Sequence, residues 1–332
     1  MPRDEARNGS AMSMVNTIRG PIDSSELGRT LSHEHLTNGF SGMERLAGLM
    51  PRAEMVGRNL DALDRAQAAG IDTIIDCTPW DLGRQMWLFE AVAERSPVHV
   101  VCATGVYRWV PPVYWGLEPD EIAAIWIAEV EDGIDGTGIK PGIIKLAWDM
   151  EYGLTDGRTS PRAMLELTAR AAARTSKATG IPITCHTRAV DELGSPLLDI
   201  FEDEGLDLGA VTIGHSNDTQ DLAYLRGTAA RGANVGLDRF FSTNENYVAE
   251  RGGIALALAQ AGYAGQTSLG HDGTPAGLWG RWREEPNPGV WTLVPEHEVP
   301  WLLGNGASEA DVEAMLGGSI RGTFAAAAGQ VG

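Results

Sequence analysis

Cysteine, histidine and positive charge are all scarce in this chain. Three cysteines, Cys77, Cys102 and Cys185, are spread over 332 residues. Each falls within an apolar run that reads as a strand. An odd number at such positions points to buried thiols and argues against a disulfide framework. Lys and Arg number 26 against 45 Asp and Glu, a formal net charge of −19. Phosphate backbones and anionic membranes need a basic face, so neither nucleic acid nor a membrane surface is an expected partner. No run of about 18 apolar residues exists to span a bilayer. The stretch from Met1 to Gly20 is polar and lacks the apolar core of a secretory signal. Together these absences predict a soluble protein in a reducing, cytoplasmic setting.

What is present is an alternation. Apolar strand-like runs fall at Thr30–Leu36, Asp72–Thr78, Val98–Thr104, Gly142–Ala147, Pro182–His186, Ala210–His215, Ala233–Asp238 and Thr267–Asp272. Helical patterns lie between them: Ala53–Ala69, Leu82–Arg95, Pro119–Asp132, Pro161–Thr179, Pro196–Glu204, Gln220–Arg231 and Tyr247–Ala261. Glycines at 70, 180, 232 and 262 follow helices, as C-termini prefer. Strands alternating with helices predict a parallel sheet, and eight of them favour closure into a single (β/α)₈ TIM barrel. The expected barrel occupies residues 15–325, after an extended or disordered tail over 1–14. Val15–Gly28 reads as a short hairpin capping the barrel floor. Glu296–Leu303 and Ser308–Leu316 read as the last helices. A long loop from Gly273 to Pro295 carries Trp279, Trp282 and Trp291, and loops of that length are usually functional. At least one of these indoles is expected against the substrate, with packing as the alternative.

The chemistry-bearing residues sit at strand ends. His33 and His35 lie two apart on the first strand, and residues so spaced share a face. Two imidazoles on one face can grip one metal ion. Later strands end in His186, His215 and Asp272, and the fourth carries Lys145 where a core strand rarely tolerates a lysine. In a (β/α)₈ barrel such residues converge on the C-terminal mouth. Of the remaining histidines, His99 is expected to cap the start of the third strand and His297 to lie on the surface. His271, next to Asp272, should point away from the mouth. Four neutral imidazoles and one carboxylate leave two divalent ions short of negative charge, and a lysine ammonium would worsen that. A neutral lysine amine can instead capture carbon dioxide and become a bridging carbamate.

Ordered landmarks run through the chain. They are Asn16-Thr17-Ile18-Arg19-Gly20-Pro21, Thr30-Leu31-Ser32-His33-Glu34-His35, Gly138-Ile139-Lys140-Pro141-Gly142-Ile143-Ile144-Lys145, Ile213-Gly214-His215-Ser216-Asn217-Asp218-Thr219 and Gly236-Leu237-Asp238-Arg239. With them the chain resembles the phosphotriesterase family of the amidohydrolase superfamily, from about Asn16 to Phe324. It looks closest to the phosphotriesterase-like lactonases. That resemblance implies a binuclear centre with a buried ion on His33, His35 and Asp272 and a more exposed ion on His186 and His215. Carboxylated Lys145 and a hydroxide would bridge them. Zinc is the usual metal, and cobalt, manganese or iron also suit such N/O ligands.

The same resemblance gives roles to three residues. Asp272 takes the proton of the bridging hydroxide and passes it to the leaving alkoxide. Tyr107 matches a tyrosine that these lactonases place beside the metal-bound carbonyl. Arg239 matches a lactonase arginine where true phosphotriesterases have histidine. The implied function is a metal-dependent hydrolase opening a lactone, such as an N-acyl homoserine lactone, by attack of a metal-bridging hydroxide. Alternatives are an organophosphate triester hydrolase, a simple carboxylesterase, or a non-catalytic ligand-binding barrel with structural metals. An open mouth argues against the last, since structural zinc sites are closed. The family tends to form homodimers. Two departures touch the substrate pocket: Gly273-Thr274-Pro275 follows Asp272 where an aromatic residue is usual, and the stretch Arg108-Trp109-Val110-Pro111-Pro112 differs.

Overall fold

A computed structural model describes residues 13–39, 42–45, 50–107, 110–149, 161–278 and 289–331. Strands β1 (Met14–Thr17) and β2 (Gly20–Asp23) form the antiparallel hairpin expected before the barrel. Next come β3 (Thr30–Glu34), β4 (Thr73–Asp76), β5 (His99–Val101), β6 (Ala103–Gly105), β7 (Ile143–Trp148), β8 (Ile183–Thr187), β9 (Val211–Gly214), β10 (Asn234–Leu237) and β11 (Thr267–Leu269). From β3 to β5 and from β6 to β11 each strand pairs in parallel with the next. Almost every residue in them is buried, as parallel strands covered by helices require.

Two joints close the (β/α)₈ barrel. The third strand is interrupted at Cys102, whose carbonyl accepts the N–H of both Gly142 (2.9 Å) and Ile143 (3.4 Å). On either side of it, β5 pairs with β4 and β6 with β7, so the one strand joins the two sheets. At the other joint, Asp272 N–H donates to His33 O (2.9 Å), and His35 N–H donates to Gly273 O (3.0 Å). Gly270 makes that seam possible. A Cβ there would stand 2.9 Å from the His33 backbone nitrogen, so no larger residue lets the last strand approach the first.

The outer ring comprises α1 (Arg52–Ala68), α2 (Met86–Ala93), α3 (Pro119–Asp132), α4 (Pro161–Thr179), α5 (Gly194–Asp203), α6 (Leu222–Ala230) and α7 (Glu245–Gln260). Helix α3 starts with proline inside a Glu118/Glu121 capping box, and α7 is capped by Asn244. After α8 (Val299–Gly304) and α9 (Glu309–Glu313) the chain does not stop at Leu316 as expected. It passes through a π turn into α10 (Ser319–Ala328). Ile320 and Phe324 of α10 join Val15, Leu27 and Ile75 in an apolar cluster, which seals the floor together with the hairpin. Among the described residues no helix is long and apolar enough to cross a membrane.

Of the three tryptophans in the long loop, the described one follows the packing alternative. Trp291 is fully buried, at φ 65°, and its Nε1–H donates to Gly273 O at 3.2 Å. It packs the loop into the core instead of facing substrate. Trp279, Trp282, Arg108, Trp109 and residues 1–12 of the expected tail lie outside the described residues.

Candidate metal centre

Four imidazoles converge at the C-terminal ends of β3, β8 and β9. His33 and His215 stack with centroids 5.0 Å apart, His186 stands 4.3 Å from His215 at 84°, and His35 lies 5.5 Å from His33. All four are buried. Each has one ring nitrogen held by a neighbour, and this fixes which nitrogen is bare. Asp238 does this twice: Oδ2 accepts from His33 Nδ1 (2.6 Å) and Oδ1 from His215 Nδ1 (2.7 Å). The Thr78 hydroxyl donates its hydrogen to Thr37 O, so it accepts from His35 Nδ1–H at 2.8 Å. Asp149 Oδ2 accepts from His186 Nε2 at 3.1 Å. The lone pairs left over are Nε2 of His33, His35 and His215 and Nδ1 of His186.

Asp272 and Lys145 face those lone pairs. Asp272 Oδ1 lies 3.1 Å from His35 Nε2 and 3.6 Å from His33 Nε2, and its Oδ2 lies 3.9 Å from His215 Nε2. Lys145, fully buried on β7, puts Nζ 2.8 Å from His33 Nε2 and forms no ion pair with a described carboxylate. Asp238 also lies within ligand range of His33 and His215. Its oxygens, however, take the N–H side of both rings, so it orients them and is not a third ligand. Both His215 (φ 59°) and Asp272 (φ 53°) stand in the left-handed region. At His215 this turn ends the β9 ladder, which stops at Gly214. Such strain in non-glycine residues persists where the surroundings enforce it, often at functional sites.

The electrostatics suit a cation. Burial pushes the His33 imidazole down to about 4, helped by Lys145. Burial likewise pushes His215 to about 3 and lowers His186. These rings are therefore neutral near pH 7, as a metal ligand must be. Burial alone would raise Asp272, but His215, His35 and His33 around it hold the carboxyl well below its usual range. Bare imidazole nitrogens, an ionised carboxylate and an unpaired buried lysine form an N/O donor set that fits divalent transition metals.

The other expected residues are also here. The Tyr107 hydroxyl sits 3.4 Å from His186 Nδ1. Arg239 Nε lies 3.5 Å from Asp272 Oδ2, and its Nη1 pairs with Asp218 Oδ2 at 2.6 Å. Burial works against the Arg239 cation, but Asp272 and Asp218 more than offset it and raise its pKa. His271 turns away as expected, onto Glu34. His99 opens β5, and His297 is exposed. Sequence reasoning passed over Asp238, Asp149, Thr78 and Asp218. Asp238 closes the run Ala233–Asp238 and Asp218 follows His215, yet no local pattern marks either carboxylate as a partner of the histidines or of Arg239.

The phosphotriesterase family model matches residues 13–322. The chain belongs to the phosphotriesterase family. It is 36% identical over 275 residues to the phosphotriesterase homology protein of Mycobacterium tuberculosis (strain CDC 1551 / Oshkosh), covering 79% of this chain and 81% of that protein. It is 32% identical over 296 residues to the aryldialkylphosphatase of Saccharolobus solfataricus (strain ATCC 35092 / DSM 1617 / JCM 11322 / P2), covering 87% and 92%. It is also similar to the solved structure of the phosphotriesterase from Mycobacterium tuberculosis, with a TM-score of 0.82 at 32% identity over 94% of this chain and 98% of that one. Membership makes the protein a metal-dependent hydrolase of ester or phosphoester bonds. The non-catalytic barrel falls away.

Proposed function

We propose that this phosphotriesterase-family hydrolase opens lactones, with N-acyl homoserine lactones as the substrate class. Two divalent ions, zinc by preference with cobalt, manganese or iron as alternatives, are assigned to the bare donors. His33, His35 and Asp272 would hold one, His186 and His215 the other, and Lys145, carboxylated, would bridge them. A carbamate would place negative charge on a buried side chain that has no carboxylate partner among the described residues, which supports that assignment. When bound, such ions polarise the substrate's carbonyl oxygen and make a water acidic enough to attack near neutral pH.

The observation that carries the lactone reading is the Arg239 contact with Asp272. Asp272, ionised, accepts the attacking water's proton. A histidine at position 239 could carry that proton away. A guanidinium with a raised pKa between two carboxylates cannot. The proton stays on Asp272 and is returned to the leaving group. A lactone needs it, because an alkoxide is a strong base and leaves poorly unprotonated. An aryl phosphate needs it far less, because a phenolate leaves unaided. The Tyr107 hydroxyl, beside His186 on the opposite flank, is suited to orient the substrate's carbonyl.

The test is kcat/KM of the metal-loaded protein on N-acyl homoserine lactones against aryl dialkyl phosphates and simple aryl esters. Higher values on lactones are expected. A higher value on the phosphates would replace this reading with phosphotriester hydrolysis, which the 32% identity to an aryldialkylphosphatase favours. We further propose a cytoplasmic homodimer with small-molecule substrates only. Three buried free thiols support a reducing compartment, and light scattering on the purified protein tests the dimer.

A further inference from the structure

Glu34 lies between His33 and His35, so its side chain leaves the opposite face of β3. It is fully buried, and its carboxylate accepts three hydrogen bonds. Oε1 takes the His271 backbone N–H at 2.8 Å and the His271 Nδ1–H at 2.6 Å. Oε2 takes the Gly273 N–H at 3.1 Å. The donors are the two residues flanking Asp272. His271 Nε2 accepts the Val294 N–H at 3.0 Å, which places the ring hydrogen on Nδ1, towards Glu34. Asp272 itself sits at φ 53°, which a non-glycine residue holds only under constraint.

We propose that Glu34 is a positioning residue that clamps the backbone on both sides of Asp272 and so holds the Asp272 carboxylate towards His33 and His35. This rests on the role given to Asp272 above. A carboxylate suits the task because both of its oxygens accept. Glutamine has one acceptor oxygen, and its amide would face an N–H. The alternation along β3 thus gives one segment two tasks. His33 and His35 face the centre, and Glu34 reaches behind it to fix a donor from the last strand.

The variant is Glu34→Gln, studied in zinc-loaded full-length protein. Two measures are read: the rate of zinc transfer to a chromophoric chelator, and kcat and KM on the best substrate of the lactone and phosphate panel. Zinc transfer should quicken by about 10–100-fold and kcat should fall by a similar factor, the scale seen when outer supports of metal ligands are lost. KM should move less than about threefold. In an Asp272→Asn background the effect of Glu34→Gln on kcat should nearly vanish, since Glu34 acts through Asp272. A merely structural role gives additive losses instead, and additivity or an unchanged transfer rate overturns the proposal. If Glu34→Gln does not fold, His271→Phe removes the ring donor from the same clamp and is read by the same measures. If the parent protein opens no lactone, the reading above fails, and zinc transfer still decides the clamp.

Discussion

Tyr107 hangs from Asp81: its backbone N–H is shared between the two carboxylate oxygens at 2.9 and 3.0 Å. Asp81 is buried, and burial pushes its carboxyl up to about 7, against the lowering effect of the Tyr107 N–H and Arg84. An unfolded aspartate titrates near ~3.9. Between those two values the folded chain binds the extra proton, so this group's contribution to stability declines as pH rises from about 4 to about 7, then stays level. Asp81→Asn removes the effect. The variant should gain on the parent as pH goes from 5 to 8, by on the order of 1 kcal/mol or more. Paired thermal melts across that range check it, and a constant difference in Tm would refute it.

Asp238→Asn should weaken metal binding by about 10–100-fold without removing a ligand. An amide can accept through its oxygen only, so one of the two rings it orients meets an N–H and must turn. Competition with a chelator measures the affinity. Full retention would mean that packing alone orients His33 and His215.

Lys145→Ala should drop the metal content below two ions per chain and abolish most activity. Added short carboxylic acids with metal should restore part of it by standing in for a bridging carbamate. Elemental analysis and rescue kinetics test this. A variant with full metal and full rate would end the carbamate assignment.

Trp291→Ala should cost stability without retuning selectivity. Removing a buried indole typically costs about 3–5 kcal/mol, a fall in Tm on the order of 10 °C. Since Nε1 holds Gly273 O beside Asp272, kcat should fall by one common factor along a series of lactones of increasing acyl length. A changed slope with chain length would return Trp291 to the substrate pocket.

The eight strand positions were legible because parallel strands buried on both faces are apolar runs. The proposed ligand set stands out in the sequence because His33, His35, Lys145, His186, His215 and Asp272 interrupt or end those runs with residues a core does not favour. The supports do not. Nothing local marks Asp238, 205 residues from His33, as the carboxylate that orients it. Thr78 looks like any strand-end threonine until His35 is found 2.8 Å away. The change of partner at Cys102, from β4 on one side to β7 on the other, is a tertiary feature without a sequence mark. Helix α10 was hidden by the Gly317-Gly318 pair, which reads as a stop but here lies in a π turn that continues into the helix.

The barrel seam also sets when the protein can become an enzyme. His35 and Asp272 meet across 237 residues of chain, and His33 meets Asp238 across 205. A ribosome adds only about 5–20 residues per second, so the first-strand histidines emerge well before their last partner. During that interval a nascent chain offers a metal an incomplete set of donors. The proposed donors therefore come together only once the last strand has paired with the first. On the proposed assignment, metal content would report on whether the whole chain has closed its ring, and a truncation before the eighth strand would leave most of the proposed donors and no Asp272.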